Sequence, residues 1–485
     1  MNRRILTVFF LVLLSVSCEK SGYEPVTPEE RPVTFMVLSD IHYMHPDILV
    51  QEGEAWEKYN WEECKLLKES NDIFNAVLDS VRAAKPDFVL VCGDMTKDGE
   101  VLCHSYVAEA FEKLEKETGT TILVVPGNHD MNNPHSRYYV GDVTEPALSA
   151  DEATFGDIYR NLGYSDFAGK REGYLDYMSY PVDGIAVIGV DSNEKNTPEK
   201  VLVQGGLSRE QVAWIKEMAA EAHKGGRHVI MMMHHNLVDF YDNAQLIRGA
   251  NIANARYDYT NQELVNDLCA AGVDVVFSGH SHMHSITSAT VGSHTIYSVV
   301  TSSMVNLPLA FRKGTISRDG TMRLWSSDVK DCKPAGGVDL RKEGDRYWME
   351  LSGFYMYEAA RVVWENAEGI VKILGFKTRE ELQAFFDARF KNVFYTFLTR
   401  TSDGNEHLVS PKKNLGEAMD AVDGLIEYID EKLDKSLVNF ILRLVLGVSL
   451  DDVRTVMCDF FSSAYFNYLG NGPVMPDDSI VIPLS

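Results

Sequence analysis

Between residue 33 and about residue 325, short apolar runs alternate with longer stretches whose apolar positions recur every three or four residues. Segments 33–39 (VTFMVLS), 87–93 (DFVLVCG), 120–127 (TTILVVPG), 185–192 (IAVIGVDS), 228–233 (HVIMMM) and 273–279 (VDVVFSG) predict buried strands. The intervening 71–84 and 105–117 carry helical spacing, as does a stretch near 262–271. Ser208 with Gln211 three residues later is a capping-box signature and opens another helix. Strands that alternate with helices predict a layered α/β domain with a largely parallel central sheet. After Gly279 the rhythm shortens to strands at 294–300 and around Asp319-Gly320, a hairpin signal. Past about Pro334 the pattern is helical throughout, over 349–374, 378–398 and 414–433, and predicts an all-α second domain followed by a Pro-containing tail.

The strand ends carry the chemistry. FMVLSD (35–40) leads to Asp40 and His42, and FVLVCGD (88–94) to Asp94. ILVVPGNHD (122–130) carries Asn128 and His129, VIMMMHH (229–235) carries His234 and His235, and VVFSGHSH (275–282) carries His280 and His282. In an open α/β sheet the carboxyl ends of the strands form the ligand crevice, so these donors gather at one place. Asp40 and His42, two apart, can face one ion, and Asp94 on the adjacent strand can bridge two. Asn128 adds a neutral oxygen, and His234, His280 and His282 add imidazoles. The set predicts two four-ligand sites with room for water and substrate. Mixed nitrogen and oxygen ligation without thiolate suits Mn, Fe, Zn or Co.

Composition narrows the partners. Lys+Arg 46 against Asp+Glu 71 leaves a net charge of −25, which disfavours long nucleic acid. A small phosphate ester is compatible with it, because bound cations supply positive charge locally. Arg3 and Arg4, the apolar run ILTVFFLVLL and Ser15-Val16-Ser17 before Cys18 read as an export signal. The small residues ending at Cys18 resemble a bacterial lipobox, so 1–18 is expected to be a lipoprotein signal and 19–32 a polar tether. That places the protein in the cell envelope, on a membrane through a lipid at Cys18. The other cysteines show no paired spacing, and no disulfide framework is indicated.

The stretches DIH, GD, GNHD, HH and GHSH, in this order, resemble the calcineurin-like metallophosphoesterase superfamily. The resemblance implies an α/β/β/α sandwich over 33–333, with the helical domain as 334–485. It implies that Asp40, His42, Asp94 and His282 hold one ion, and that Asp94, Asn128, His234 and His280 hold the other. His234 rather than His235 is the ligand on this pattern. His129 becomes an outer-sphere acid, and the attacking hydroxide comes from metal-bound water. Protein Ser/Thr phosphatases carry an Asp-Arg pair shortly after the GD aspartate, whereas Met95, Thr96 and Lys97 follow here, so the Asp that orients the catalytic histidine in those enzymes is missing and the orienter of His129 is left open. Lys97 stands where purple acid phosphatases have a tyrosine ligand, and DxH replaces their DxG. GDMTKDGEVLCH (93–104), GNHDMNNP (127–134) and HHNL (234–237) look closer to bacterial cyclic-nucleotide phosphodiesterases. The expected activity is hydrolysis of small phosphodiesters, cyclic nucleotides first. The alternatives are a broad phosphomonoesterase, a nucleotide or phospholipid-headgroup phosphodiesterase, or a silent phosphate-ester binder. Tyr138, Tyr139, Tyr241, Arg248 and Asn251 are candidates for gripping substrate, with ordinary loop packing an equal reading. His45, His104 and His135 are expected to serve ordinary capping or surface roles, and His284 to stand on the surface or behind the ligands.

Overall fold

The computed structural model describes residues 31–63, 65–165, 167–238, 260–329, 337–373, 375–402, 419–425, 427–428, 431 and 479–485. The signal and lipobox through Cys18, and Tyr241, Arg248 and Asn251, lie outside them. Residues Val33–Ser485 cluster as one compact unit.

Two sheets form the centre. The first runs β16 (Ser479–Pro483), β15 (Thr321–Asp328), β14 (Ala310–Ile316), β1 (Val33–Leu38), β3 (Phe88–Val91) and β4 (Thr121–Val124). The second runs β12 (Ser285–Val291), β13 (His294–Val300), β11 (Val275–Ser278), β10 (His228–Met232), β9 (Ile185–Gly189), β8 (Tyr177–Val182) and β7 (Gly169–Lys170). A small third sheet joins β2 (Leu49–Gln51), β5 (Arg137–Val140) and β6 (Val143–Pro146). Strands β1, β3 and β4 are parallel, as are β9, β10, β11 and β13. Their carboxyl ends therefore point the same way within each sheet.

Side-chain alternation explains the layering. In β1, Phe35 and Val37 face the second sheet and pack with Ile230, Met232 and Phe277, while Met36 and Leu38 face the helices. Helices α2 (Ser70–Ala84) and α3 (Val101–Thr118) bury Phe74, Val77 and Phe111 on that outer face. Across the molecule, α5 (Arg209–Lys224) and α6 (Asn261–Ala270) cover the second sheet through Val212, Ile215, Leu264 and Leu268. Both open on complete capping boxes, Ser208 with Gln211 and Thr260 with Glu263. The result is the α/β/β/α sandwich. The short helix α4 (Glu152–Ile158) sits in the loop region after β6.

The helical C-terminal region consists of α7 (Leu340–Ile373) and α8 (Arg379–Ser402), with further helical residues between 419 and 425. Helix α7 leans on α1 (Glu54–Glu63): Phe354 and Tyr357 meet the Trp61 ring edge-on at 5.1 and 5.6 Å, and Asn60 donates to the Tyr347 hydroxyl at 3.3 Å. The end of the chain departs from the expected helical domain and tail. Ser479–Pro483 pairs antiparallel with β15, burying Ile482, and Ser485 donates from its backbone to Asp274 at 2.6 Å. Pro483 is accommodated because β16 is an edge strand.

Candidate metal centre

The loops leaving β1 and β3 run side by side. Asp40 N donates to Gly93 O at 3.0 Å, and His42 N to Asp94 O at 2.9 Å, extending the sheet pairing beyond the strands. At this rim the backbone is strained. Asp40, His42, Asp94, His280 and His282 have φ of 49°, 42°, 50°, 66° and 58°, in the left-handed region that non-glycine residues avoid. Such strain persists where surrounding structure over-determines it, and functional sites are where it gathers.

The side chains converge in two groups. Asp40, His42 and His282 form one: His42 Nε2 and His282 Nε2 face each other at 3.0 Å, and Asp40 Oδ1 lies 3.4 Å from His282 Nε2. Asp94, His234 and His280 form the other, with Asn128. His234 Nε2 lies 3.2 Å from Asp94 Oδ2, from Asn128 Oδ1 and from His280 Nδ1, and His280 Nδ1 is 3.0 Å from Asn128 Oδ1. Asp94 Oδ2 is common to both groups, being also 3.8 Å from His42 Nε2. All seven residues predicted as ligands thus stand together.

The donor set fits cations. His234 Nδ1 lies 2.8 Å from the Cys92 carbonyl, which can only accept, so that nitrogen carries a proton. In the neutral ring Nε2 then presents a lone pair toward a carboxylate oxygen and an amide oxygen, an arrangement that repels itself unless a cation or a second ring proton sits between. Electrostatics agree. Burial opposes charge on His234, but Asp94 outweighs it and the imidazole is pushed up to about 9. Burial likewise works against the Asp94 carboxylate, yet His234 and His129 hold it well below the usual carboxylate range. Bare backbone at two glycines permits the close packing. A Cβ at Gly127 would strike Asp94 Oδ1, and one at Gly279 would strike Ser39 Oγ and Asp40 Oδ2.

His129 stands beside the first group, its ring edge-on to His42 at 5.0 Å. Here the structure supplies the orienter that the sequence left open. An orienting acid is present: Asp98 Oδ1 accepts from His129 Nδ1 at 2.9 Å, and the Lys97 carbonyl lies 3.0 Å from the same nitrogen. The acid follows Lys97 directly, because Met95 and Thr96 stay against the Tyr43 strip before the chain turns at Gly99. Lys97 points away from the ligands. Its buried ammonium pairs with Asp98 Oδ2 at 2.5 Å and Glu100 Oε1 at 2.9 Å, over the Tyr59 ring. Asp98 also accepts from Tyr59 and Asn133. Burial resists ionisation of Asp98, but Lys97 and His129 outweigh it and hold the carboxyl far below its usual value.

Other histidines serve packing. His235 binds Ser192 Oγ through Nδ1 at 2.9 Å and the Val203 carbonyl through Nε2 at 3.2 Å, so His234 is the one directed at the donors. His104 spans Tyr159 and the Asp130 carbonyl, and His284 meets Ser326 Oγ at 2.6 Å. His45 caps a short turn through Asp47 N, and the backbone of His135 donates to Asn133. Tyr139 is buried against Trp56 and Tyr59, and Tyr138 packs on the same core. Sequence reasoning missed Asp130, whose carboxylate accepts from Met95, Thr96 and Gly127 and so clamps the GD loop to the GNHD loop. It also missed Asn306, whose side-chain amide lies 2.9 Å from His282 Nδ1.

A profile of the calcineurin-like phosphoesterases matches residues 33–284, just over half of the chain. The chain belongs to that family. Family members use two metal ions, and the two groups around Asp94 are the candidate places for them here. No curated protein matches the sequence. Among solved structures, a dimetal phosphatase from Danio rerio is similar at 13% identity and a TM-score of 0.40, over 62% of this chain and 97% of that one. A purple acid phosphatase from yellow lupin (Lupinus luteus) seeds is similar at 12% identity and a TM-score of 0.37, over 63% and 53%.

Proposed function

We propose that this family member hydrolyses small phosphodiesters, with cyclic nucleotides the leading substrate class. The observation that carries the reading is Asp94 Oδ2 facing imidazoles of both ligand groups, with the His129–Asp98 pair alongside. Two cations held there would polarise a phosphoryl oxygen and make a water acidic enough to attack in line. The chain's own residues supply the rest. The Nδ1 edge of His129 is committed to Asp98 and the Lys97 carbonyl, which leaves Nε2 to deliver a proton to the departing oxygen. Burial and the Lys65 ammonium pull the His129 pKa down, but Asp94 and Asp98 outweigh them and raise it, the direction that favours the protonated ring an alkoxide leaving group needs.

Charge supports a diester over a monoester. A monoester phosphate carries about −1.5 to −2 at neutral pH and a diester only one charge. The wall beside His129 already holds Glu63, Asp98 and Glu100, with Lys65 and Lys97 paired to them. A cleft of about 920 Å³, edged by Asn128, Tyr164, Tyr174 and Asn196, adjoins the centre. That size is within the range of small-molecule sites and accommodates a nucleoside.

The test is a screen of the purified protein reconstituted with Mn, over bis-p-nitrophenyl phosphate, p-nitrophenyl phosphate, and 3′,5′- and 2′,3′-cyclic nucleotides. The reading expects diesters to be turned over with higher kcat/KM than the monoester. Turnover of the monoester alone, or of nothing, defeats it. Export with lipid attachment at Cys18 is part of the same proposal, and rests on the N-terminal sequence. Mass spectrometry of the mature N-terminus decides it, since an unmodified Cys18 rules the anchor out.

A further inference from the structure

Lys65 is a charged side chain carried into the wall of the centre without any motif to announce it. Its side chain is 8% exposed, and its ammonium lies 2.6 Å from Glu63 Oε2. The loop that bears it is stitched to both flanks of the first ligand group. Leu66 N donates to Val305 O at 2.9 Å, next to the Asn306 amide that reaches His282. Met44 N, two residues beyond His42, donates to Ser70 Oγ at 2.9 Å, and Ser70 Oγ donates to Leu67 O at 2.7 Å. The ammonium is also near enough to Asp98, the partner of His129, to be favoured by it.

The two lysines of this wall differ in their commitments. Lys97 is held by two carboxylates and two aromatic rings. Lys65 has three N–H donors and, among the described residues, one partner, Glu63. A buried ammonium is costly unless something uses it. The remaining donors suit an oxygen that is itself charged, and a phosphoryl group bound between the ligand groups and His129 presents one.

We propose that Lys65 contacts substrate: its ammonium holds a non-bridging oxygen of the phosphoryl group on the His129 side of the centre, and Glu63 is a positioning residue that aims it. The proposal rests on the site being a phosphoester site, and not on the ester being a diester.

The experiment uses the full chain reconstituted with Mn and measures three things for each variant: metal content, inorganic phosphate affinity by calorimetry, and steady-state kinetics on bis-p-nitrophenyl phosphate. Lys65→Gln is expected to keep both metals and to weaken phosphate about 10–100-fold, the worth of one hydrogen bond to a charged group. Lys65→Arg, which keeps the charge, is expected to recover most of that affinity. Because Lys65→Gln leaves the half-buried Glu63 without its cation, the double variant Glu63→Gln/Lys65→Gln is expected to show the same loss of affinity in a wall with no unpaired charge. Wild-type phosphate affinity in the double variant, or a loss that Lys65→Arg does not recover, overturns the proposal. If the wild type binds phosphate through Lys65 yet turns over no diester, the diester reading fails and the assignment of Lys65 stands.

Discussion

The two sides of the centre solve the same electrostatic problem in opposite ways. On the ligand side, Asp40 and Asp94 meet imidazoles and an amide oxygen, with no lysine or arginine among the contacts found there. On the His129 side, three acids have built-in cations: Asp98 and Glu100 share Lys97, and the half-buried Glu63 holds Lys65. The first arrangement is completed by ions from solution. The second is complete in the chain. One half of the site therefore depends on metal supply, and the other keeps its geometry without it.

Removing the shared carboxylate breaks the ligand side altogether. Asp94→Ala is expected to lose both ions and all activity, and metal analysis checks it. His129→Ala is expected to keep both ions while slowing turnover about 10²–10⁴-fold, the usual contribution of a positioned acid. Equal metal loss in the two variants would erase the distinction drawn between the sides. Asp98→Asn is the next step down. It leaves a hydrogen-bonding group near His129 Nδ1 but no charge, and about 10–100-fold loss of kcat with unchanged metal content is expected, as for other groups that orient a functional histidine. A variant as active as wild type would show that the Lys97 carbonyl alone orients the ring.

The sides also differ in how far the sequence reveals them. The ligands follow apolar runs that can only be strands, and a donor at a strand end in a parallel sheet has one place to go. The wall has no such rule. Asp98 and Glu100 reach His129 and Lys97 through a loop whose path is set by Asp130 and by the turn at Gly99. Lys65 and Tyr59 come from α1 and the loop after it, segments whose placement depends on tertiary packing. The final strand did leave a signal, since Ile480 and Ile482 alternate with polar or exposed neighbours. Pro483 masked it, because proline in a strand is tolerated only at an edge and the sequence does not say where edges are.

Packing behind the wall gives a smaller handle on it. Trp61 of α1 packs against α7, and Gly344 of α7 abuts Leu307, one residue from Asn306. The helical region thus braces both segments that flank the first ligand group. Trp61→Ala is expected to cost stability of about 3–5 kcal/mol at most, as for a large aromatic truncation. It is expected to raise KM more than it lowers kcat, because the loop bearing Lys65 loses its support while the ligands stay. A fall in kcat alone, with KM unchanged, would mean that α7 supports some other part of the centre.

Asp191 shows what a half-buried carboxyl does when neither solution is applied. It lies beyond β9, its Oδ1 accepting from the backbone and side chain of Asn193, and no described ion pair reaches it. Burial is the main cause, and neighbouring Asp176 adds to it, of a pKa pushed up to about 7. The sign of the consequence follows from linkage. An unfolded aspartate titrates at about 3.9, so between that pH and about 7 the folded protein holds the extra proton. Stability therefore falls as pH rises through this window, the reverse of the behaviour expected from Asp98, whose folded pKa is depressed. In Asp191→Asn the fall in melting temperature between pH 5 and pH 8 is expected to shrink without vanishing, since the raised pKa of Asp176 contributes in the same direction. An unchanged slope would mean that Asp191 is ionised throughout, and that this acid too has a cation to meet.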